Sequence, residues 1–598
     1  MLSTDSRPEE ARPEVFSQGS LPGVPALAQK LIPLEKIRDL YRRVRQAPEG
    51  FGLENLLTEM KVGLRVDTSD MQRIPAAGPV VVVANHPFGM LDGAVLAVLL
   101  TRARPDVKVM TNYLLRDAPE LAQHCIFVDP FQTRESLKIN RQAVREALNW
   151  LHRGGMLAVF PAGEVSHLHF PQAEIVDPTW NDTAARLLRK TGAAALPVYF
   201  CGRNSVSFHL LGMIHPRLRT ACLIQEFLQQ QGRTVEVRIG GEIASESLAS
   251  ISDDREAIEY LRWRTYLLAR RQRTEMSWPE IVRSKISETM QTPVAVAEST
   301  TSLHDELSQL SADRVLAESG ELAVYLVKAN EIPLLMRELG RLREITFRLA
   351  GEGTGKPRDL DRFDEYYSHV LLWHKAKQEL VGAYRAGNTV EIIKDHGISG
   401  LYTSTLFRYE AELFDKIGPA MELGRSFVRP EYQRQFGSLL LLWKGIARYV
   451  ALHANTPVLF GAVSISNNYS KASREMIYRF CEARNREDDL ARLISPRHPF
   501  RPALLRPWDC RAMCRALRDV EALAQPVTDV ETDGKGLPVL LRQYAKVGGK
   551  LLAFNVDRKF SNVLDGLVLV DLRRSDPAVL DRYMGSQEAI QFRQRHGL

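Results

Sequence analysis

The feature that most constrains the fold is an unbroken apolar run at residues 79–84, Pro-Val-Val-Val-Val-Ala, followed at once by a loop and a helical stretch. A run of this length, rich in β-branched residues, is typical of a strand buried on both faces of a sheet. Similar short apolar runs recur at residues 107–110, 125–128, 156–160 and 195–200. Helical patterns lie between them, at residues 136–151 and 181–190. Strands that alternate with helices predict an α/β domain.

A second α/β pattern occupies the C-terminal half of the chain. We expect strands at 322–328, 421–428, 458–464 and 566–571, a hairpin at 369–374 and 380–385, and helices at 334–348 and 436–454. Residues 288–313 are rich in Ser, Thr, Ala, Gln and Glu, which is typical of a linker. A chain of 598 residues is long for one domain. We therefore predict a tail with an amphipathic helical region (1–73), an α/β domain (74–287), a linker (288–320) and a second α/β domain (321–598).

Composition limits the kinds of partner. The 79 Lys and Arg exceed the 72 Asp and Glu, for a formal charge of +7. This mild excess fits an anionic membrane, an acidic carrier protein or nucleic acid, and equally a basic surface with no partner. The cations are dispersed and no recognition helix stands out, so we expect no nucleic-acid binding. The six cysteines are scattered without metal-ligand spacing, which predicts reduced thiols in a cytosolic protein and no metal site.

The sequence also limits how the chain meets a membrane. No window reaches about 18 uninterrupted apolar residues, and residues 1–22 lack the basic start and apolar core of a signal peptide. Residues 31–44 have an apolar stripe at helical spacing, flanked by cations, which fits a helix lying in a membrane interface. The stripe consists of Leu34, Ile37, Leu40, Tyr41 and Val44. A surface helix docked on the core fits the same pattern at least as well.

The first candidate site follows the run at 79–84. His86 comes directly after this strand, and a ligand site of an α/β sheet lies at the carboxyl ends of its strands. Asp92, at the start of the next helix, can accept the imidazole N–H and fix its tautomer, which leaves the other ring nitrogen to take a proton from a hydroxyl. The alternative is that Asp92 only caps the helix and His86 bonds to a loop backbone group.

A second loop supports the chemical interpretation. Residues 160–166, Phe-Pro-Ala-Gly-Glu-Val-Ser, follow another apolar run. Together the two loops resemble the lysophospholipid acyltransferase superfamily, with its His-x4-Asp motif, a later Phe-Pro-Glu-Gly motif and a terminal apolar-Pro-Val strand. The corresponding segments here are 85–93, 160–166 and 196–198, and residues 125–129 lie where the second motif of that family belongs. The resemblance covers residues 74–241.

Three departures separate this sequence from the phosphate-binding members of that superfamily. Five residues lie between His86 and Asp92 rather than four, and the glutamate follows Gly163 as Glu164 instead of preceding it. The second motif also lacks the arginine that holds glycerol phosphate. These departures resemble the branch that acylates lyso-aminolipids. The resemblance implies His86 as the base, Asp92 as the group that orients it, and Asn85, Gly163 and Glu164 as substrate-binding residues.

The second candidate site lies in the C-terminal half. Glu422 and Arg425 lie within the expected strand 421–428, and the Arg434-x-x-Gly437 segment precedes a helix whose N-terminus can hold a phosphate. Together with Arg343, Asp364 and the segment 544–565, these residues resemble the acyl-homoserine-lactone synthase and ornithine N-acyltransferase branch of the GNAT fold, over residues 321–572.

The GNAT resemblance implies roles for these residues. Glu422 is the candidate base that makes an amine neutral before it attacks a thioester, with Asp364 as a secondary candidate. Arg343, Asp364 and Arg425 would bind the substrate, and Arg434 and Gly437 the acyl donor. The alternative is that Arg425 and Arg343 form structural ion pairs, with Glu422 and Asp364 respectively.

The two halves resemble the bifunctional ornithine lipid synthases of bacteria. That resemblance implies N-acylation of an amino acid, ornithine first among the possibilities, with a 3-hydroxyacyl group, and then O-acylation of the free hydroxyl. It further implies acyl carrier protein or coenzyme A as the thioester carrier, no bound cofactor, and a location on the cytoplasmic face of the inner membrane. Two alternatives stay open: a lysophosphatidate-type acyltransferase with a regulatory GNAT domain, and a non-catalytic, haemolysin-like membrane-binding protein.

Overall fold

The computed structural model describes residues 33–46, 52–112, 123–129, 134–169, 174–214, 216–271, 292–433, 436–453, 455–503, 505 and 507–598. Over these residues the chain divides into two compact units. The first comprises the described residues up to Arg271 together with 511–516, and the second comprises the remainder. Each unit is built on a mixed sheet with helices, so the predicted α/β class of both halves is confirmed.

The first unit is built on a seven-stranded sheet in the order β1-β9-β8-β2-β5-β3-β4. Its strands, with the separate hairpin β6–β7, are β1 (Gly63–Arg65), β2 (Val80–Ala84), β3 (Val107–Asn112), β4 (Cys125–Val128), β5 (Met156–Val159), β6 (His167–His169), β7 (Glu174–Val176), β8 (Ala194–Cys201) and β9 (Thr234–Ile239). Its α-helices are Leu34–Arg45, Leu53–Glu59, Thr68–Met71, Met90–Thr101, Arg134–His152, Thr183–Thr191, Val206–Ile214, Pro216–Gln229, Ser245–Ala249 and Asp254–Leu267.

The strand β2 lies at the centre of this sheet. It pairs in parallel with β5 on one side and β8 on the other, and all five of its residues are buried. The helix Met90–Thr101 is also largely buried. Valine fits such a strand because its branched side chain packs well against both covering layers. The loop between β2 and this helix is consequently held at both ends, at the carboxyl edge of the sheet.

The position of the helix Leu34–Arg45 decides between the two interpretations of its apolar stripe. Ile37, Leu40 and Val44 belong to the core cluster of the first unit and are at most 8% exposed. The apolar stripe is therefore turned toward protein, and the lipid-facing alternative for this helix is wrong. Helical periodicity identifies an apolar face but cannot distinguish a protein core from a bilayer as its partner.

A different helix of the first unit exposes apolar side chains. In Val206–Ile214 the residues Val206, Leu210 and Met213 are 67%, 50% and 48% exposed, and their spacing places them on one face. Phe208, on the other side of the same helix, is buried, and so is His209. The helix follows Arg203, which is exposed. No helix within the described ranges is long and apolar enough to cross a bilayer.

The second unit is built on an eight-stranded sheet in the order β10-β11-β12-β13-β15-β16-β19-β18. Its strands, with the small separate pair β14–β17, are β10 (Val315–Ser319), β11 (Leu322–Lys328), β12 (Ser368–His374), β13 (Glu379–Asn388), β14 (Phe407–Tyr409), β15 (Ala420–Val428), β16 (Val458–Ile465), β17 (Ile494–Pro496), β18 (Lys550–Asp557) and β19 (Val563–Asp571). Its α-helices are Thr300–Ser308, Pro333–Leu349, Thr389–His396, Glu412–Ile417, Pro430–Gln433, Phe436–Leu452, Lys471–Arg484, Asp488–Ala491, Ala524–Val530, Val539–Lys546, Pro577–Met584 and Ser586–Arg595, while Pro507–Ala516 is divided between the units.

The strands β15 and β16 form the parallel pair of this otherwise antiparallel sheet. Their pairing covers 420–422 and 458–460, although β15 continues to Val428 and β16 to Ile465. The two strands diverge beyond Glu422. The ladder between β13 and β15 is also irregular here, and Arg425 has a positive φ of 47°. This bulge bends β15 and re-aims the Arg425 side chain at the point of divergence.

The expected linker at 288–320 is not an unstructured connection over its described part. It contains the helix Thr300–Ser308, whose Leu303 and Leu307 are buried in the core of the second unit. It also contains β10, at the edge of the sheet. Two leucines four residues apart are enough to dock a short helix, and the surrounding Ser and Thr obscure that signal in the composition. Residues 272–291 lie outside the described part of the chain.

Candidate active sites

The candidate site of the first unit is built around an imidazole and a carboxylate. His86 Nδ1 lies 3.0 Å from Asp92 Oδ2, and His86 is 19% exposed. With Nδ1 directed at the carboxylate, Nε2 is the ring nitrogen available to a substrate. The ring stacks on Phe160, with a centroid separation of 4.3 Å. The side chains from the two loops that the sequence singled out therefore meet at one position.

Asp92 both orients His86 and caps a helix. Its Oδ2 also accepts the backbone N–H groups of Phe88 at 2.8 Å and Gly89 at 3.0 Å, and Gly89 is the N-cap of the helix Met90–Thr101. Asp92 therefore makes both predicted contacts, the pairing with His86 and the cap of the helix, and both use the same oxygen. Burial raises the pKa of the Asp92 carboxyl, while the hydrogen bond and charge of His86 oppose that rise.

Asn85 holds the loop in place. Its Nδ2 donates to the carbonyl oxygen of Phe200 at 3.0 Å, and its Oδ1 accepts the N–H of the same residue at 2.7 Å. The side chain is 3% exposed. The sequence predicted a substrate-binding role for Asn85, but both ends of its amide are used to fasten the His86 loop to β8. We therefore interpret Asn85 as a positioning residue.

Asp177 is a second positioning residue, and the sequence did not indicate it. Its Oδ1 accepts the backbone N–H of His86 at 3.2 Å and the Ser166 hydroxyl at 2.5 Å. Its Oδ2 accepts the indole N–H of Trp180 at 2.9 Å. Asp177 thereby connects the two loops of the site. It lies 91 residues after His86 in the sequence, so a local motif around His86 cannot reveal the contact.

The turn that contains Gly163 and Glu164 is exposed beside this pair. Gly163 has a φ of +67° and open space where a Cβ would be, so glycine suits both the turn and a close approach by a ligand. Glu164 is 59% exposed and accepts from Arg219 Nη2 at 2.6 Å. The structure leaves both residues accessible, and their predicted role in substrate binding stays a prediction.

The candidate site of the second unit contains a network of buried charges. Arg343 donates to Asp364 at 2.9 Å and contacts Asp359 at 3.1 Å. Arg385 bridges Asp361 and Asp364, at 2.6 and 3.1 Å. The neighbouring guanidinium groups hold the pKa of the Asp364 carboxyl well below its usual range, despite its burial. The ion pair between Arg343 and Asp364, which the sequence offered as an alternative role for these residues, is present.

Arg425 extends this network toward the divergence of β15 and β16. It contacts Asp359 at 3.7 Å and Asp361 at 3.5 Å, so the alternative of an ion pair with Glu422 named the wrong partner. Its guanidinium carbon lies 5.0 Å from the ring centroid of Tyr402 and 4.3 Å from that of Phe560. Side chains three positions apart in a strand point to opposite faces of the sheet, so the spacing of Glu422 and Arg425 does not favour a contact between them.

Glu422 is enclosed by hydrogen-bond donors. One oxygen accepts from the Tyr367 hydroxyl and the N–H of Tyr402, and the other accepts from the N–H of Thr403 at 2.6 Å. The residue is 1% exposed, and burial raises the pKa of its carboxyl. Its predicted role as base stays untested. These contacts favour a positioning role, because each oxygen already holds a donor of the protein.

The predicted donor-binding segment is only partly described. Arg434 lies outside the described residues. Gly437 is in the first turn of the helix Phe436–Leu452, with open space around its Cα. The N–H groups of a first helical turn lack intrahelical partners and favour anions. The predicted role of Gly437 in holding a donor phosphate stays a prediction.

Two clefts of the second unit lie elsewhere. A cavity of about 590 Å³ includes Val458, at the beginning of β16, and another of about 350 Å³ includes Met421, near the beginning of β15. Both lie at the end of the parallel pair opposite to Arg425. A group of His, Cys, Asp and Glu side chains suited to a metal ion is absent among the described residues.

Comparisons with known proteins agree with this division. Residues 32–273 match the family model described as an acyltransferase, and residues 342–444 match the model described as an acetyltransferase (GNAT) domain. A glycine N(alpha)-acyltransferase of Phocaeicola vulgatus is 34% identical over 207 residues, which cover 32% of this chain and 63% of that protein. A lyso-glycine lipid O-acyltransferase of the same species is 27% identical over 29% of this chain and 63% of its own length. An L-ornithine N(alpha)-acyltransferase of Agrobacterium fabrum is 22% identical over 42% of this chain and 79% of its own length.

The two matches fall on different parts of the chain. Residues 32–273 form an acyltransferase domain and residues 342–444 a GNAT domain. The relatives of the chain carry the names of N- and O-acyltransferases of amino acids and aminolipids, although the chain spans only 63% of the length of the first of them. The resemblance to both families that the motifs predicted is thereby confirmed.

Proposed function

We propose that this protein is a bifunctional aminolipid synthase, which acylates the amine of an amino acid with a 3-hydroxyacyl group and then acylates the free hydroxyl. The observation that carries the proposal is the His86–Asp92 pair at the carboxyl end of β2, combined in one chain with a GNAT domain. The relatives support it, because one is named for each step: an amino acid N-acyltransferase and a lysolipid O-acyltransferase.

For O-acylation, His86 Nε2 takes the proton of the acceptor hydroxyl as its oxygen attacks the thioester carbonyl. The tetrahedral intermediate then expels the thiolate of the donor, which receives the proton back from His86. Asp92 holds the tautomer that presents Nε2 and stabilises the imidazolium between the two transfers. His86 is the catalytic residue of this step, with Asn85 and Asp177 as positioning residues.

For N-acylation, an amine must be neutral when it attacks the thioester. The divergent strands β15 and β16 leave backbone groups unpaired beyond Glu422, where an extended thioester arm can pair by strand addition. The donor is an acyl thioester of acyl carrier protein or coenzyme A, with its phosphate near Gly437. Glu422 fixes the loop of Tyr402 and Thr403 against the end of this opening.

Ornithine is the amino acid that the sequence resemblance indicates, and glycine is the one named for a more similar relative. If the protein is instead a lysophosphatidate-type acyltransferase, its acceptor is a lysophospholipid. If it is a non-catalytic membrane-binding protein, its function does not depend on His86. We propose peripheral association with the cytoplasmic face of the inner membrane. The exposed face of Val206–Ile214 supports this association, since an amphiphilic product remains at the bilayer.

The purified full chain tests the O-acylation half directly. Synthetic N-(3-hydroxyhexadecanoyl)ornithine and its glycine analogue are offered in detergent micelles with palmitoyl-coenzyme A or palmitoyl carrier protein, and the ester is measured by mass spectrometry. We expect ester formation with the wild type and loss of it in His86→Ala. Ester formation from lysophosphatidate but from neither aminolipid would assign the first domain to the phosphatidate pathway instead.

A further inference from the structure

A cation of the first unit reaches the His86 site although no sequence motif singled it out. Arg219 belongs to the helix Pro216–Gln229, and its Nη2 donates to Glu164 Oε2 at 2.6 Å. The turn that contains Glu164 is held beside the loop of the base, since the N–H of Ser166 donates to the carbonyl oxygen of His86 at 2.8 Å. Arg219 therefore brings a guanidinium to the exposed turn of this site, from 55 positions further along the chain.

Packing against the neighbouring helix sets the position of the Arg219 side chain. A Cβ added to Gly212, in the preceding helix, would lie 3.2 Å from Arg219 Cδ, so the glycine leaves room for the aliphatic stem. Leu223 reaches the loop of the base, because a Cβ added to Gly89 would lie 3.3 Å from Leu223 Cδ2. Residues 219 and 223 are four positions apart and share one face of the helix. This face is consequently turned toward both loops of the site.

The two partners of the ion pair between Arg219 and Glu164 differ in exposure. The side chain of Arg219 is 13% exposed, whereas that of Glu164 is 59% exposed. Within the described part of the chain, Glu164 is the one hydrogen-bond acceptor of Arg219. A guanidinium has five N–H donors in a planar fork, which fits a carboxylate with two bonds. An ion pair with so exposed a partner contributes little to stability, so another carboxylate can replace Glu164 at small cost.

The chemistry of the proposed acceptor identifies the group that such a cation binds. Amide formation consumes the α-ammonium group of the amino acid and leaves its carboxylate, so every acceptor of this class carries that anion, whatever its side chain. Only the start of the acyl chain, the amide and the α-carbon separate the 3-hydroxyl from this carboxylate. An acceptor whose hydroxyl meets His86 must therefore place its carboxylate in an adjoining part of the same site. Arg219 supplies a cation there, in a chain whose second motif lacks the phosphate-binding arginine.

We propose that Arg219 binds the carboxylate of the acyl acceptor, which takes the place of Glu164 on the guanidinium, and thereby makes the first site specific for carboxylate-bearing acceptors. The inference rests on the proposed O-acyltransferase function and adds to it the residue that recognises the headgroup. Arg219 anchors the headgroup while His86 Nε2 receives the proton of the hydroxyl. An acceptor without this negative charge leaves Arg219 paired with Glu164 and loses the anchor.

The test compares two acceptors that differ in one group, with the purified full chain and palmitoyl-coenzyme A or palmitoyl carrier protein. They are the N-(3-hydroxyhexadecanoyl) derivative of glycine or ornithine, whichever wild type esterifies faster, and the corresponding carboxamide. We expect wild type to show a kcat/KM about tenfold or more higher for the carboxylate. Arg219→Gln should lower kcat/KM for the carboxylate by about tenfold or more, mainly through KM, and change that for the carboxamide by less than about threefold.

Two further variants separate recognition of the headgroup from a structural role of the ion pair. Glu164→Gln removes the competing carboxylate, so it should keep the preference for the carboxylate acceptor. Arg186→Gln is the matched control, because Arg186 donates to Asp182 at 2.5 Å on the surface of another helix of the first unit. It should leave kcat/KM for both acceptors unchanged.

Failure of this inference differs from failure of the proposed function. If wild type esterifies the carboxylate and the carboxamide equally well, the O-acyltransferase function stands and Arg219 does not recognise the headgroup. Equal losses for both acceptors in Arg219→Gln, at an unchanged melting temperature, also overturn the inference, as does loss of the preference in Glu164→Gln. If neither the glycine nor the ornithine acceptor is esterified, the proposed function itself fails.

Discussion

At the scale of single residues, the first site depends on one carboxylate oxygen. Asp92 Oδ2 holds the imidazole of His86 and two backbone N–H groups of the loop at the same time. The position of the base and the start of the helix are therefore set by the same atom. Such sharing explains how an extra residue between His86 and Asp92, relative to the superfamily motif, is compatible with the pairing, because the loop folds around Oδ2.

We predict that His86→Ala lowers the rate of O-acylation by about 10²–10⁴-fold, the usual contribution of a general base. N-acylation by the same chain should continue, because the substituted residue lies in the other unit. The measurement is the rate of each reaction with purified protein. His152→Ala is the control, since His152 is an exposed histidine of the first unit. A variant at position 86 that esterifies at the wild-type rate contradicts the assignment.

Glu422→Gln separates a base from a positioning residue. The amide nitrogen of glutamine cannot accept from the N–H of Thr403 or the Tyr367 hydroxyl, and a lost hydrogen bond to a charged group costs about 1.5–3 kcal/mol. We therefore expect a lower Tm together with a lower kcat, and no change in the pH at which activity rises. Thermal unfolding and a pH–rate profile decide this. Loss of the rising limb of the profile at an unchanged Tm would instead identify Glu422 as the base.

The raised pKa of Asp565 predicts a pH dependence of stability. Burial shifts it from 3.8 to about 8 in the folded protein. At pH values between these two, the folded state binds a proton at Asp565 that the unfolded chain does not bind. The contribution of this proton to the free energy of unfolding is therefore complete below pH 3.8 and is lost as pH rises through about 8. In the ligand-free Asp565→Asn variant, Tm should fall less between pH 6 and 9 than in wild type. Parallel curves for the two proteins would refute the assignment of this titration, and Asp571→Asn should follow wild type.

At the scale of elements, two helices of the first unit, Leu34–Arg45 and Val206–Ile214, differ in what their apolar side chains contact. The amphipathic helix docks on the core, and the more uniformly apolar one exposes Val206, Leu210 and Met213 beside the cation Arg203. An exposed apolar row next to a cation suits the surface of an anionic bilayer.

We predict that Leu210→Glu weakens binding to vesicles of phosphatidylglycerol and phosphatidylethanolamine in a sedimentation assay. A buried charge at the lipid surface opposes insertion, and the effect should be about tenfold or more in the partition coefficient. Leu137→Glu is the control, because Leu137 is 60% exposed on another helix of the same unit. Equal binding by both variants would show that this face does not meet lipid.

Elements were predictable from the sequence where a local pattern determines them. The runs at 79–84, 322–328 and 458–464 are recognisable as strands because apolar residues are concentrated there, and β2 and β11 lie within a residue of the expected bounds. β9 was not anticipated, because polar residues alternate with apolar ones along it, and β18 was not anticipated although its residues 551–554 are apolar. The helix Thr300–Ser308 was hidden by its Ser- and Thr-rich surroundings. Contacts between distant residues, such as Asp177 with His86 or Arg425 with Asp359, leave no trace in local spacing.

At the scale of the whole molecule, two candidate sites of different chemistry lie in separate units. The first contains an imidazole suited to a hydroxyl, and the second contains a buried network of arginine and aspartate side chains, for which we propose an amino acid and a thioester as substrates. In the two-step synthesis that we propose, the product of the amide-forming step carries the hydroxyl that the ester-forming step requires. This dependence would give the order of the two reactions and the benefit of joining both domains in one chain.

The measurement that tests this order most directly is a lipid mass spectrum of a bacterial host that lacks aminolipids and expresses the chain. We predict an N-(3-acyloxyacyl) amino acid with wild type, and the N-(3-hydroxyacyl) amino acid without its ester in the His86→Ala host. If the His86→Ala host still contains the fully acylated lipid, or if wild type changes only the phosphatidate-derived lipids, the two-step synthase proposed here is contradicted.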